Sequence, residues 1–134
     1  MDELLEIIRG FQSRTHADLP CKRIRVAFDE TTICVDEWRH DERPAVTTRF
    51  AWESIRRICF KDNGPMASDV IYLFVAGYVQ ALAIPLESDG GGLLWRELRA
   101  RGIFPRTLHE QATLSTDGRL YCWPPVGVRG KARR

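Results

Sequence analysis

The chain has 134 residues, of which 44% are hydrophobic and 28% charged, and its formal charge is +2. This composition excludes a disordered or fibrous protein, because it supplies enough apolar side chains for a core. A chain of this length buries about two-thirds of its surface on folding, so one self-sufficient domain is expected. It is too short for an enzyme that joins a dinucleotide-binding domain to a separate substrate domain.

The net positive charge comes from the C-terminal end. Residues 129–134 contain four cations, and the rest of the chain carries 16 basic and 18 acidic residues. We therefore predict one weakly acidic globular domain over residues 1–125, followed by a flexible basic tail over 126–134. The tail is interpreted as a solvated end, with weak attraction to nucleic acid or an anionic membrane as the alternative. No specific nucleic-acid interaction is predicted.

The sequence predicts a cytoplasmic protein. Its acidic start does not fit a secretory signal, and the longest apolar run, Val70–Val79, is far shorter than a transmembrane helix requires. The cysteines form no C-x-x-C pair, which argues against a zinc ribbon or a thioredoxin-type site; they are Cys21, Cys34, Cys59 and Cys122. In a reducing cytosol no structural disulfide is expected, and no cofactor is predicted.

Apolar periodicity predicts a helix and then a run of strands. The spacing of Leu4, Leu5, Ile8 and Phe11 is that of one buried helical stripe. Alternation of apolar and polar residues follows, interrupted by a bend after Trp52. The predicted strands lie, in chain order, at 24–28, 33–35, 46–50, a stretch ending at Phe60, 70–76 and 78–84.

A second helix is predicted from the stripe Leu94, Trp95 and Leu98, with Ser88 or Asp89 as its N-cap. Gly102 stands where a C′ glycine belongs, and Ile103 and Leu98 form the apolar pair of a Schellman ending. Further on, Asp117-Gly118 predicts a β-hairpin that joins residues 112–115 to 120–123. His109 and Glu110 are predicted to lie in a surface loop between the two.

These elements predict an α+β fold with a mostly antiparallel sheet. The sheet is expected to be strongly bent, or an open barrel, with about six strands. One helix precedes it, one helix follows it on the C-terminal side, and a β-hairpin ends the domain. Strands do not alternate with crossover helices, which excludes a doubly wound parallel sheet.

Residues 23–102 resemble small bacterial domains with a pleckstrin-homology-like fold. The resemblance is carried by Phe50, Trp52, Ile55, Ile58 and Phe60, then by Ile84-Pro85 and the helix at 93–101. It implies a roll plugged by a C-terminal helix and a scaffold that binds proteins, peptides or lipid head groups, without catalytic residues. The chain departs from that family in its six predicted strands instead of seven, its leading helix and its final hairpin.

The densest group of chemically active side chains is predicted in a loop after the second strand. It comprises Asp36, Glu37, His40, Asp41 and Glu42. Carboxylates and an imidazole at this spacing suit a divalent cation, so a small metal-assisted hydrolase is the alternative function. The interpretation that we favour is a solvated loop whose acids pair with Arg39 and Arg43, because a polar hairpin tip supplies no rigid frame for a metal.

Asp89-Gly90-Gly91-Gly92 precedes the second predicted helix. Exposed amides at a helix N-terminus suit an anion, but the segment has no lysine and matches no phosphate-binding motif. We therefore interpret it first as the turn that leads from a strand into the helix, and second as a flexible edge for a partner.

Two of the four tryptophans are candidates for an exposed interface. Trp52 and Trp95 follow apolar periods and are assigned to the core, whereas Trp38 and Trp123 have charged or proline neighbours. The leading hypothesis is a non-enzymatic binding or protein-interaction module with a protein partner. Its candidate binding residues are Trp38, His40, Asp89, Gly90, Gly91, Gly92 and Trp123. A homodimer is compatible with the predicted exposed strand edge.

Overall fold

The computed structural model describes residues 22–39, 46–63, 67–114 and 118–125. Seven strands and two α-helices lie in these ranges, with a short 3₁₀ helix at Trp52–Ser54. The strands are β1 Lys22–Phe28, β2 Thr32–Arg39, β3 Val46–Ala51, β4 Ile55–Lys61, β5 Val70–Val75, β6 Leu82–Pro85 and β7 Leu120–Trp123. The helices are α1 Gly91–Ala100 and α2 Arg106–Leu114. The predicted N-terminal helix and the basic tail 126–134 lie outside the described residues.

The strands form two antiparallel sheets, and the prediction of one bent sheet or open barrel of six strands is wrong. The first sheet has the order β1-β2-β3 and the second has the order β6-β5-β4-β7. The chain leaves the first sheet through the 3₁₀ helix at Trp52, and β4 then pairs with β5 instead of extending the first ladder. Within the described ranges the strands close no barrel, so they do not show the pleckstrin-homology-like roll with a leading helix.

The predicted bend after Trp52 is confirmed, and it turns the indole into the core. Trp52 is buried, and its Nε1–H donates to the Asp29 carbonyl oxygen at 2.9 Å, in the turn between β1 and β2. The Arg101 guanidinium lies over the same ring, 3.8 Å from its centroid. The 3₁₀ helix is thereby tied to both the first sheet and the end of α1.

One apolar cluster joins both sheets to the helices. Its buried members include Ile24, Val35 and Phe50 from the first sheet, Phe60, Leu73 and Ile84 from the second, and Leu94, Leu98 and Phe104 from the helical part. A second cluster covers the opposite face of the second sheet and contains Cys59, Val70, Tyr72, Ala81 and Ala83. The second sheet is therefore buried on both faces, which explains the nearly continuous apolar sequence of β5.

The second predicted helix is confirmed as α1, and so is its Schellman ending. The Ile103 amide donates to the Leu98 carbonyl and the Gly102 amide to the Arg99 carbonyl, each at 3.0 Å, with Gly102 at φ +76°. The predicted N-cap is wrong, because Gly90 occupies that position and no side chain caps the helix. Within the described residues no helix is long and apolar enough to cross a bilayer.

The predicted C-terminal hairpin is wrong. Residues 106–114 form α2 instead of a loop and a strand, since Leu108 and Ala112 are spaced by one helical turn and both pack on the core. The strand at 120–123 exists as β7, but its partner is β4. His109 therefore lies on a helix, where its ring meets Trp95 edge-on with centroids 5.4 Å apart.

The predicted strand at 78–84 is also shorter than expected. Ala76 and Gly77 form a turn with Gly77 at φ +89°, and residues 77–80 are exposed. The part of this predicted strand that pairs with β5 is Leu82–Pro85. Tyr78 and Val79 therefore lie in an exposed turn and not in a buried strand.

Candidate functional site

An open groove of about 510 Å³ runs between α2 and β7. The helix side contributes Leu108, and the strand side contributes the alternating residues Tyr121 and Trp123. The complete lining is Pro105, Thr107, Leu108, Gln111, Arg119, Leu120, Tyr121, Cys122, Trp123 and Pro125. A mostly apolar and aromatic wall with one charged side chain suits an uncharged segment of polypeptide better than a highly charged ligand.

The strand beside the groove lies at the edge of its sheet. Cys59 and Cys122 face each other across β4 and β7 with Cα atoms 4.0 Å apart, the separation of a non-hydrogen-bonded antiparallel pair. Since the two kinds of pair alternate, Tyr121 and Trp123 direct their peptide groups toward β4. Leu120 and Cys122 therefore direct their N–H and C=O groups outward. Among the described residues no backbone hydrogen bond reaches these outward groups.

Trp123 is the most exposed aromatic side chain of the groove. Its side chain and backbone together are 43% exposed, whereas Tyr121 and Leu108 are half-buried and pack on the main core. Just after it, the Pro124 carbonyl accepts a hydrogen bond of 2.9 Å from the Arg57 Nε–H, which fixes the chain where it leaves β7. Partial burial lowers the pKa of the Arg57 guanidinium from its usual range, but arginine stays charged at neutral pH.

The same strand is covalently joined to its neighbour. Cys59 on β4 and Cys122 on β7 form a disulfide, so the expectation that the chain has no structural disulfide is wrong. The two cysteines are 63 residues apart, and only the fold brings them to opposing positions of one ladder. Cys59 is completely buried, whereas Cys122 is half-buried and lines the groove.

Trp38 lies on the open face of the first sheet, under two arginines of the adjacent strand. The guanidinium carbons of Arg23 and Arg25 lie 4.5 and 4.8 Å from the centroid of its ring. The indole is half-buried by these contacts, which are favourable cation–π interactions. Its ring is thus already partnered within the chain, whereas Trp123 has an aromatic surface open to a ligand.

The structure connects Asp89 to this same face. The Asp89 carboxylate is 3.9 Å from the Arg25 guanidinium, and the Val26 amide donates to the Asp89 carbonyl at 2.7 Å. Two of the three glycines that follow serve close packing. A Cβ at Gly90 would overlap the Val26 carbonyl oxygen, and one at Gly91 would overlap the Pro85 carbonyl oxygen. This geometry fits the interpretation of the segment as a turn, and a binding role for it stays a prediction.

The residues of the alternative metal site do not converge where they are described. Asp36 and Glu37 are neighbours on β2, so their side chains point to opposite faces of the sheet. Asp36 accepts a hydrogen bond of 2.6 Å from the Thr47 hydroxyl. His40, Asp41 and Glu42 lie outside the described residues. Within the described part of the chain, His, Cys, Asp and Glu side chains form no group of three that could hold a metal ion.

No family model, curated protein or solved structure matches the chain. The candidate site is therefore assigned from geometry. Of the predicted site residues that the structure describes, only Trp123 lies in the groove. Leu108 and Tyr121 were missed, although the four-residue spacing of Leu108 and Ala112 is the signal that predicts a helix at this position.

Proposed function

We propose that the protein is a non-enzymatic interaction module that binds an extended peptide segment of a partner protein along β7. The observation that carries this proposal is the outward direction of the Leu120 and Cys122 peptide groups beside the groove. A peptide in extended conformation supplies the complementary N–H and C=O groups and becomes a further strand of the second sheet. Its alternate side chains then enter the groove against Trp123 and Leu108.

The outer edges of β1 and β6 offer less to a ligand. The outer edge of β1 is contacted at Val26 by the Asp89 backbone, and β6 ends in Pro85, which has no amide hydrogen. Within the described residues β7 is the edge strand that borders this groove. Because Pro124 and Pro125 follow β7 directly, the strand added to it is short, and we expect its affinity to come mainly from side chains in the groove.

The groove also limits the chemistry of the peptide. Its lining is mostly apolar, so a peptide with apolar or aromatic residues at alternate positions loses little by desolvation. A carboxylate or ammonium group placed against Trp123 and Leu108 would lose its hydration without an adequate partner. We therefore propose a neutral, apolar-patterned segment as the ligand. We propose that the protein meets it in the cytoplasm, where protein disulfides are transient.

Amide hydrogen exchange tests the geometry before any ligand is known. In the free protein we expect the Leu120 and Cys122 amides to exchange fast and the Tyr121 and Trp123 amides to be protected by β4. Slow exchange of Leu120 and Cys122 that depends on protein concentration would show that a second copy occupies the edge. That result would contradict the proposal.

A random library of 12-residue peptides, selected on the immobilised oxidised protein, then supplies the ligand. We expect a selected peptide to protect the Leu120 and Cys122 amides, and Trp123→Ala to weaken its binding by about tenfold or more. Trp38→Ala is the matched control, because it removes the same side chain from the other sheet. A library that yields no binder, or equal losses in the two variants, would refute the proposal.

A further inference from the structure

We propose that the Cys59–Cys122 disulfide controls the groove, so that the peptide-binding form is the oxidised protein and reduction releases β7. The inference rests on the proposed function of the groove, but its first step, the release of β7, is measured without any ligand. The disulfide joins the edge strand to the strand that lies inside the sheet. One wall of the groove thus depends on a bond that a cellular dithiol can break.

The two sulfur atoms differ in their access to a reductant. Cys59 is completely buried in the second apolar cluster, on the face of the sheet away from Phe60. Cys122 is half-buried and belongs to the lining of the groove. An attacking thiolate therefore reaches the half-buried Cys122 sulfur more readily than the completely buried Cys59 sulfur.

The reaction is an ordinary thiol–disulfide exchange with a dithiol as reductant. A thiolate of the dithiol attacks Cys122 Sγ, the bond to Cys59 Sγ breaks, and the leaving Cys59 sulfur takes up a proton. The second thiol of the reductant, as its thiolate, then attacks the reductant's sulfur that is bonded to Cys122. This step expels the Cys122 thiolate, which is protonated in turn. The dithiol ends as a disulfide, and the protein gains two electrons and two protons.

Without the disulfide, β7 is held less firmly than the inner strands of its sheet. The strand has four residues, pairs on one side only, and has two residues, Tyr121 and Trp123, whose peptide groups face β4. None of its side chains is fully buried. By contrast β5 is paired on both sides, and five of its six residues are buried. Reduction therefore acts on the strand that forms the groove more than on the rest of the sheet.

Linkage makes the effect reciprocal. If the oxidised protein binds a peptide more tightly than the reduced protein, the bound peptide must favour the disulfide by the same factor. We therefore expect a saturating peptide to raise the concentration of dithiothreitol that reduces half of the protein.

The experiment compares the oxidised chain, the same chain reduced with dithiothreitol, and the double variant Cys59→Ser with Cys122→Ser. Cys34→Ser is the matched control, since Cys34 is a free cysteine and its replacement leaves the disulfide intact. Peptide mapping without reductant first establishes the Cys59–Cys122 link. On reduction we expect the Tyr121 and Trp123 amides to exchange about tenfold faster relative to the Leu73 amide on β5, while Leu73 keeps its folded chemical shift.

The outcomes separate the two proposals. Unchanged relative protection of Tyr121 and Trp123 overturns the control by the disulfide and leaves peptide binding intact. Loss of the folded Leu73 signal also overturns it, because the disulfide would then hold the whole fold and not one strand. If β7 is released on reduction but no selected peptide binds the oxidised protein, the proposed function fails instead. Binding that weakens by about tenfold on reduction, while oxidised Cys34→Ser binds as tightly as the oxidised wild type, supports both.

Discussion

Gly90 shows how one residue fixes the approach of α1 to the first sheet. It has φ +85°, and the Cβ of any other residue would overlap the carbonyl oxygen of Val26 on β1. The same contact brings the Asp89 carbonyl to the Val26 amide. A side chain at position 90 would therefore strain its own backbone. It would also push the start of α1 away from β1 and weaken the hydrogen bond between the Val26 amide and the Asp89 carbonyl.

We expect Gly90→Ala to lower the free energy of unfolding by about 2 kcal/mol or more, from the positive φ and the overlap with backbone together. Gly77→Ala is the control, since Gly77 has φ +89° but nothing lies within 4 Å of its Cβ position. It should lose only about 1 kcal/mol. Urea unfolding measures both, and equal losses would mean that the contact with Val26 contributes nothing.

A second prediction at this scale concerns His109 and pH. Burial against Phe60 and Trp95, helped by the nearby Arg99 charge, holds the pKa of His109 below its usual 6.5, and Glu110 opposes the shift. The unfolded chain thus takes up a proton that the folded protein resists. The stabilising effect is complete above pH 6.5 and is lost as the pH falls through the pKa of the folded state.

Urea unfolding between pH 8 and pH 5 measures this effect against the variant His109→Gln. We expect the wild type to lose stability below about pH 6.5 more steeply than the variant does. The chain's other two histidines remain in the variant, so the difference between the curves belongs to His109. The Thr31 and Thr32 amides lower the pKa of Asp29, and burial raises the pKa of Asp69. Both carboxyl groups are present in the wild type and in the variant, so their contributions cancel in the comparison. Parallel curves would contradict the prediction.

At the scale of elements, local signals predicted α1 well. Its apolar stripe, its C′ glycine and the following Ile103 lie within ten residues of one another, and each was confirmed. The turn signal Asp117-Gly118 is equally local, but the hairpin predicted from it is wrong. A turn signal does not determine which strand pairs with the one that follows. The partner of β7 is β4, some 60 residues earlier in the chain. The residues around Cys122 carry no sequence signal that predicts this pairing.

The candidate site was hard to predict for the same reason. Trp38 has charged neighbours in the sequence, but Arg23 and Arg25, which cover its ring, come from another strand. Trp123 was predicted as exposed, yet its groove needs α2, which the hairpin prediction had excluded. Tyr121 and Trp123 share one face of β7 because side chains alternate along a strand. Which edge of β7 stays open follows only from the register with β4.

At the scale of the whole molecule, the disulfide closes a loop that contains most of the second sheet and both helices. Its two cysteines are 63 residues apart, and β5, β6, α1 and α2 lie between them. By the chain-entropy model a loop of this length stabilises the folded state by about 4 kcal/mol, chiefly by restricting the unfolded chain. Domains of this size are stable by about 5–15 kcal/mol, so the reduced protein should remain folded.

We therefore expect reduction to lower the free energy of unfolding by about 4 kcal/mol. The slope of the free energy against urea should rise as well, because the reduced unfolded chain exposes more surface. Cys34→Ser should show the same difference between its oxidised and reduced forms, since Cys34 takes no part in the bond. A loss well under 1 kcal/mol would contradict this prediction, because the bond would then restrict the unfolded chain far less than the closure of a loop between residues 63 positions apart requires.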